Sequence, residues 1–232
     1  MNSRFCLILL LVYYWGLISK AAALESDYFP VLAMEYPPFT TEEHPEGGVL
    51  MAELAAKTAS YKLLPKPLFM PLLRLQRTLQ EGNWCTSFAP PLNEQDYPSV
   101  STSLEQLSFH LYRVQQKAPF QWQELKELKG REVALIRSME GTRTTQGLLQ
   151  AGITPIYVNS LAQALKMVTK MRVDYALADK HSYQYYQQQG LLDGRVLEAS
   201  QQSIFHFESR LWLNPECRYS GQIQAIFSFP AP

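Results

Sequence analysis

Apolar and polar positions alternate along the chain in two similar passages. In the second, Val133-Ala-Leu-Ile136, Thr154-Pro-Ile-Tyr-Val158 and Tyr175-Ala-Leu-Ala178 are short apolar runs of strand length. Between them lie stretches with helical spacing, from Gly141-Thr142 through Leu149 and from Ser160 to Met171; another follows from Lys180 to Gln189. Strands alternating with helices of about ten residues predict βαβ units and a parallel sheet. Ligands of such sheets sit beyond the carboxyl ends of the strands, where Gly141-Thr142 and Asp179 fall.

The first passage has the same outline. Tyr28 to Met34 predicts a strand, stopped by Glu35-Tyr36-Pro37-Pro38-Phe39, since two prolines cannot continue a ladder. A helix follows from Val49 to about Ser60, then an edge or partly extended segment over Lys62 to Leu68, weakened by Pro65 and Pro67. Pro71 opens a helix whose buried stripe is Leu72, Leu73, Leu75 and Leu79, ending at Gly82, and Trp84 to Phe88 is a third short strand. Asp96 to Ser108 reads as polar turns, and Phe109 to Gln115 as a strand crossing between two lobes. Trp122 to Leu128 predicts a short helix. Val196 to Ala199 and Ile204 to Phe207 predict two short strands, and Asn214-Pro215 the start of a last helix.

Composition narrows the class. With 232 residues, 47% hydrophobic and 18% charged, the chain suits one globular domain or two small lobes. A net charge of zero gives no footprint for nucleic acid. Arg4, the apolar run Phe5 to Ile18 and Ala21-Ala22-Ala23 have the layout of a signal peptide, residues 1–23. That layout predicts export to the periplasm.

Once Cys6 leaves with the signal, Cys85 and Cys217 remain; in an oxidising compartment they are free to pair, but their spacing fixes no geometry. His44, His110, His181 and His206 are isolated, so no metal site and no cofactor is expected. No Gly-x-Ser-x-Gly elbow, His-Glu-x-x-His motif or Gly-rich phosphate loop is present, and no catalytic set stands out.

Taken in order, several motifs resemble extracytoplasmic solute-binding proteins of family 3, the amino-acid-binding periplasmic type. They are Tyr36-Pro-Pro-Phe39, Gly47-Gly48, Leu73-Arg74 through Glu81-Gly82, Lys129-Gly130, Gly141-Thr142 and Arg172-Val-Asp174-Tyr-Ala-Leu-Ala-Asp179. Arg74 and Glu81-Gly82 are similar to the stand-alone gammaproteobacterial members. The resemblance implies an α/β fold of two lobes, each a mostly parallel sheet flanked by helices, with lobe 1 from residues 24–112 plus 205–232 and lobe 2 from 113–204. It implies capture of a small polar solute (amino acid, amine or small organic acid) between the lobes by a monomer, without catalysis, and a transporter or sensor as partner in trans.

In the family an arginine after the third strand pairs with the ligand carboxylate, a Gly-Thr helix start adds donors, and an aspartate receives the ammonium. Gly141, Thr142 and Asp179 match the last two; Gln95 stands where the arginine is expected. The candidate ligand-binding residues are therefore Tyr36, Phe39, Arg74, Gly141, Thr142, Arg143 and Asp179. Two alternatives remain: a sensory or partner-binding module, and an enzyme of cyclohexadienyl-dehydratase type using Glu35, Glu140 or Asp179.

Overall fold

The computed structural model describes residues 27–104, 106–192 and 194–228. The expected signal segment lies outside them. The chain builds two five-stranded mixed sheets, each flanked by helices.

In the first sheet β1 (Asp27–Ala33) pairs in parallel with β2 (Leu63–Phe69) and β3 (Thr86–Ser87), while β10 (Arg210–Leu213) returns antiparallel between β3 and β4 (Ser99–Ser101). Its helices are α1 (Val49–Thr58), α2 (Leu72–Gln80) and α6 (Ser220–Ser228). β2 lies at the edge, which is why it tolerates Pro65 and Pro67.

The second sheet runs β7 (Thr154–Val158), β6 (Glu132–Ile136), β8 (Tyr175–Asp179), β5 (Leu107–Val114), β9 (Leu197–Phe207). The first three are parallel and the last two antiparallel. Helices α3 (Arg143–Gln150), α4 (Leu161–Thr169) and α5 (Lys180–Gln188) complete it.

Alternation along the strands separates two core layers per sheet. Phe29, Val31 and Ala33 pack with Leu211, Leu213 and Ile223, whereas Leu32 and Trp212 face Leu75, Leu79 and Trp84. In the second sheet Ala134, Ala176 and Ala178 lie under α4, and Val133, Leu135, Tyr175 and Leu177 face Phe120, Trp122 and Leu148. Two side-by-side segments join the sheets, where the Thr102 hydroxyl and amide both donate to the Ser209 carbonyl at 3.2 and 3.3 Å.

Four sequence expectations change. The boundaries placed at 112/113 and 204/205 fall inside β5 and β9, both of the second sheet, so the chain crosses between sheets nearer Leu104 and Glu208. The two short strands over 196–207 are one strand, β9, with register shifts opposite Phe109, His110 and Tyr112. There the Ser200 hydroxyl accepts from the Leu111 amide at 3.1 Å, so polar residues that break the apolar pattern still belong to the ladder. Within the supposed turn of 96–108 lies β4, and β10 has no counterpart in the expectations. The last helix begins at Ser220, not Asn214: the buried Asn214 donates its side-chain amide to the Gly82 and Trp84 carbonyls, both at 3.0 Å, while its Oδ1 accepts from the Glu216 amide and its carbonyl from the Cys217 amide, both at 3.0 Å, in a turn ahead of the helix.

Candidate functional site

The site begins in the loop after β1. The Tyr36 amide donates to the Thr40 carbonyl at 2.7 Å, and the Thr40 hydroxyl donates to the Met34 carbonyl at 2.7 Å, closing a tight turn around Pro37 and Pro38. Gly48 seals it from behind: at φ +100°, a Cβ there would meet the Phe39 carbonyl oxygen at 2.5 Å, so only glycine lets α1 start this close. The turn holds the Tyr36 and Phe39 rings nearly parallel, 5.9 Å apart at 12°. Phe39 is buried, edge-on to the His181 ring at 5.9 Å, and packs with Leu50 of the first lobe and Leu107 of the second.

Across the gap, Asp179 ends β8 and caps α5. Its Oδ1 accepts from the Ser182 amide at 3.0 Å, and its Oδ2 accepts from the Tyr36 hydroxyl at 2.8 Å. Asp179 is 1% exposed. Both carboxylate oxygens are therefore engaged inside the protein, one of them by the opposite lobe. Burial raises the Tyr36 phenol well above its ordinary pKa; the Asp179 charge adds to this, and the Ser182 hydroxyl acts in the opposite sense. Tyr112 and Tyr186 are raised too, by burial first and then by neighbouring charge, which is Asp179 for Tyr112 and Glu35 for Tyr186. A second bridge is looser, with the Tyr185 hydroxyl donating to Glu43 at 3.3 Å.

The other candidates lie outside this knot. Thr142 is the exposed N-cap of α3: its Oγ1 accepts from the Thr145 amide at 3.3 Å and donates to the Met139 carbonyl at 2.8 Å. Gly141, at φ +76°, and Arg143 flank it, also exposed. Thr142 and Asp179 follow neighbouring parallel strands, β6 and β8, but one faces solvent and the other does not.

Arg74 is exposed in the first turn of α2, beside an open groove of about 520 Å³ between the 41–47 loop and the end of β2. All of its lining belongs to the first lobe. Gln95 sits in a short exposed 3₁₀ turn, Glu94–Asp96. Cys85 and Cys217 form a disulfide, with Cα atoms 5.0 Å apart. Among the described residues no group of three His, Cys, Asp or Glu could hold a metal ion, and no helix is long and apolar enough to cross a membrane.

Sequence reasoning singled out Tyr36 and Asp179 separately but missed that they bind each other. A contact between residues 143 apart leaves no local signal. Ser182 did leave one, three residues after an aspartate at a helix start.

No protein-family model matches the chain, and no curated protein matches it. Solved structures do. The GluR0 ligand-binding core from Nostoc punctiforme in complex with L-glutamate superposes with a TM-score of 0.67 at 14% identity, covering 86% of this chain and 91% of that one. An arginine 3rd transport system periplasmic binding protein from Legionella pneumophila gives 0.64 at 13%, covering 88% and 92%. A double mutant of the Bordetella pertussis BvgS VFT2 domain gives 0.62 at 16%, covering 86% and 84%. The chain has the two-lobed periplasmic-binding-protein fold.

Proposed function

We propose that this chain is an exported, periplasmic solute-binding protein that holds a small polar solute between its lobes without chemistry. The observation that carries the reading is the Tyr36–Asp179 hydrogen bond, which joins the carboxyl ends of β1 and β8 across the two lobes. That is where an α/β sheet places its ligands, and closure about two connecting segments gives one solute contacts from both sides. The fold neighbours include a glutamate-bound core and an arginine transport protein, which supports the same use here. Within this reading Thr142, Gly141 and Arg143 offer donors from the second lobe, Arg74 a cation from the first, and Tyr36 and Phe39 an aromatic wall. The protein acts as a monomer and hands its solute to a membrane partner.

Thermal shift against a panel of amino acids, amines and small organic acids tests it. A true ligand raises the melting temperature with concentration as mass action requires. No shift with any compound would sink the reading.

One observation favours a second use of the same site. The lobes are bridged by their own side chains, Tyr36 to Asp179 and Tyr185 to Glu43, which suits a sensory module that reports closure to a membrane protein in trans. Recovery of a membrane sensor kinase instead of a permease on an affinity column would favour it. A dehydratase would need a free acid or base in the cleft. Asp179 is committed twice, and the Glu35 carboxylate accepts from the Glu42 amide at 3.0 Å.

A further inference from the structure

A carboxylate at the end of a central strand, with one oxygen turned toward a cleft, attracts cations, and attracts them more strongly where water is excluded. Asp179 has that placement, and its Oδ1 is already spent on capping α5. Its Oδ2 is the oxygen that meets the opposite lobe; the Tyr36 hydroxyl donates to it, and with the carboxylate 1% exposed that phenol covers the approach. We propose that Tyr36 is a specificity-determining residue: its phenol takes the place on Asp179 of a solute's ammonium group, so the protein selects solutes that bring no ammonium to that end. The inference rests on the solute-binding reading above and narrows its solute class to acids and neutral molecules over α-amino acids.

Three further observations make Tyr36 a fixture. Its backbone is pinned by the Thr40 bridge, and Gly48 leaves the turn no room to back away. Its ring is stacked on Phe39, itself 3% exposed and wedged against His181, Leu50 and Leu107. Its ring also packs against the apolar layer of the second lobe that contains Tyr112, Tyr183 and Tyr186. An incoming ammonium would gain a charge pair with Asp179, but to reach it would have to shed its own water, displace the phenol, unstack the pair and open an apolar seam. A neutral end has no such competition, because it makes no demand on Asp179, and an acid meets the same condition with its carboxylate held elsewhere in the cleft, away from the Asp179 charge. Acidic residues do lie nearby, Glu35 beside Tyr186 and Glu43 on Tyr185, but they belong to the exposed rim, where water screens them.

The test uses matched pairs differing only in the amino group: glutarate and L-glutamate, 3-phenylpropionate and L-phenylalanine, 5-guanidinopentanoate and L-arginine. Wild type and Y36A are compared by thermal shift and calorimetry. Wild type should be stabilised by at least one deaminated acid and by none of the amino acids. Y36A, with Asp179 uncovered, should bind an amino acid at least about tenfold more tightly than wild type does, and Y36A/D179N should lose that gain. Y36V keeps an apolar residue against Phe39 and serves should Y36A fold poorly. Wild type binding an amino acid as tightly as its deaminated partner overturns the inference and leaves the solute-binding reading standing. So does a Y36A or Y36V protein that gains nothing for amino acids. No binding of any compound by any of these proteins overturns both.

Discussion

The two lobes start their helices differently. In the second, Thr142, Ser160 and Asp179 each accept a hydrogen bond from a backbone amide three residues on, so α3, α4 and α5 carry their own start signals. In the first, α1 and α2 start at Gly48 and Pro71 with no side-chain cap. What holds that lobe is long-range: the Cys85–Cys217 disulfide, the buried Asn214 and the antiparallel return of β10. One lobe is specified locally and the other by closure of the chain on itself.

Removing the disulfide should therefore have the largest and most lopsided effect. The bond closes a loop with a sequence separation of 132, so C85A/C217A should lose about 5 kcal/mol of stability by the chain-entropy model. Hydrogen exchange should place the loss in β1, β3, β10 and α6. Equal loss of protection in the second sheet would break the comparison.

Asp179 is the exception, a local cap that also bonds across the lobes. D179A removes the cap and leaves the Tyr36 phenol without its acceptor, which should cost about 2–3 kcal/mol in denaturant unfolding. It should also enlarge the radius of gyration seen by small-angle scattering. Y36F should cost less stability, since the cap survives, yet open the lobes similarly.

Alkali probes the same seam. Tyr36, Tyr112 and Tyr186 have raised pKa values when folded, against about 10 for an ordinary tyrosine. The folded state thus holds protons that the unfolded chain releases. The stability due to these groups is complete below pH 10 and falls as the pH rises above it, by about 1.4 kcal/mol per pH unit for each group still protonated. Y36F should show a shallower fall in melting temperature between pH 10 and 11; an unchanged slope would mean that Tyr36 does not hold its proton.

The smallest effects belong to the ordinary caps. T142A and S160A should each cost about 1 kcal/mol. An effect of that size and no change in solute affinity for T142A would mark Thr142 as a cap alone.

The same asymmetry explains what could be read from the chain. The second sheet's parallel strands and helices were legible nearly to the residue, because apolar runs, caps and following glycines are short-range signals. In the first lobe β10 and β4 were missed. Each has only a few residues and is held by distant partners: β4 by β10 about 110 positions away (Arg210 with Ser101, for instance), and β10 by β3 as well. The Asn214-Pro215 pair resembled a helix start because its local chemistry suits one, and its Oδ1 does accept from the Glu216 amide, but there it closes only a turn, while its Nδ2 ties the segment to the Gly82 and Trp84 carbonyls. At the site, the aromatic turn and Asp179 were legible as types of residue. Their pairing was not, since it depends on how two lobes meet.

The disulfide also dictates an order of events during synthesis. The second sheet is assembled wholly from residues 107–207, whereas the first cannot be finished until β10 and α6 have emerged. On a chain delivered from its N-terminus, the later-numbered lobe is therefore the first able to mature. The earlier-numbered one waits with β1, β2 and Cys85 in hand until Cys217 arrives to complete it. Pulse-labelling under oxidising conditions should show a protease-resistant second lobe before the Cys85–Cys217 crosslink appears.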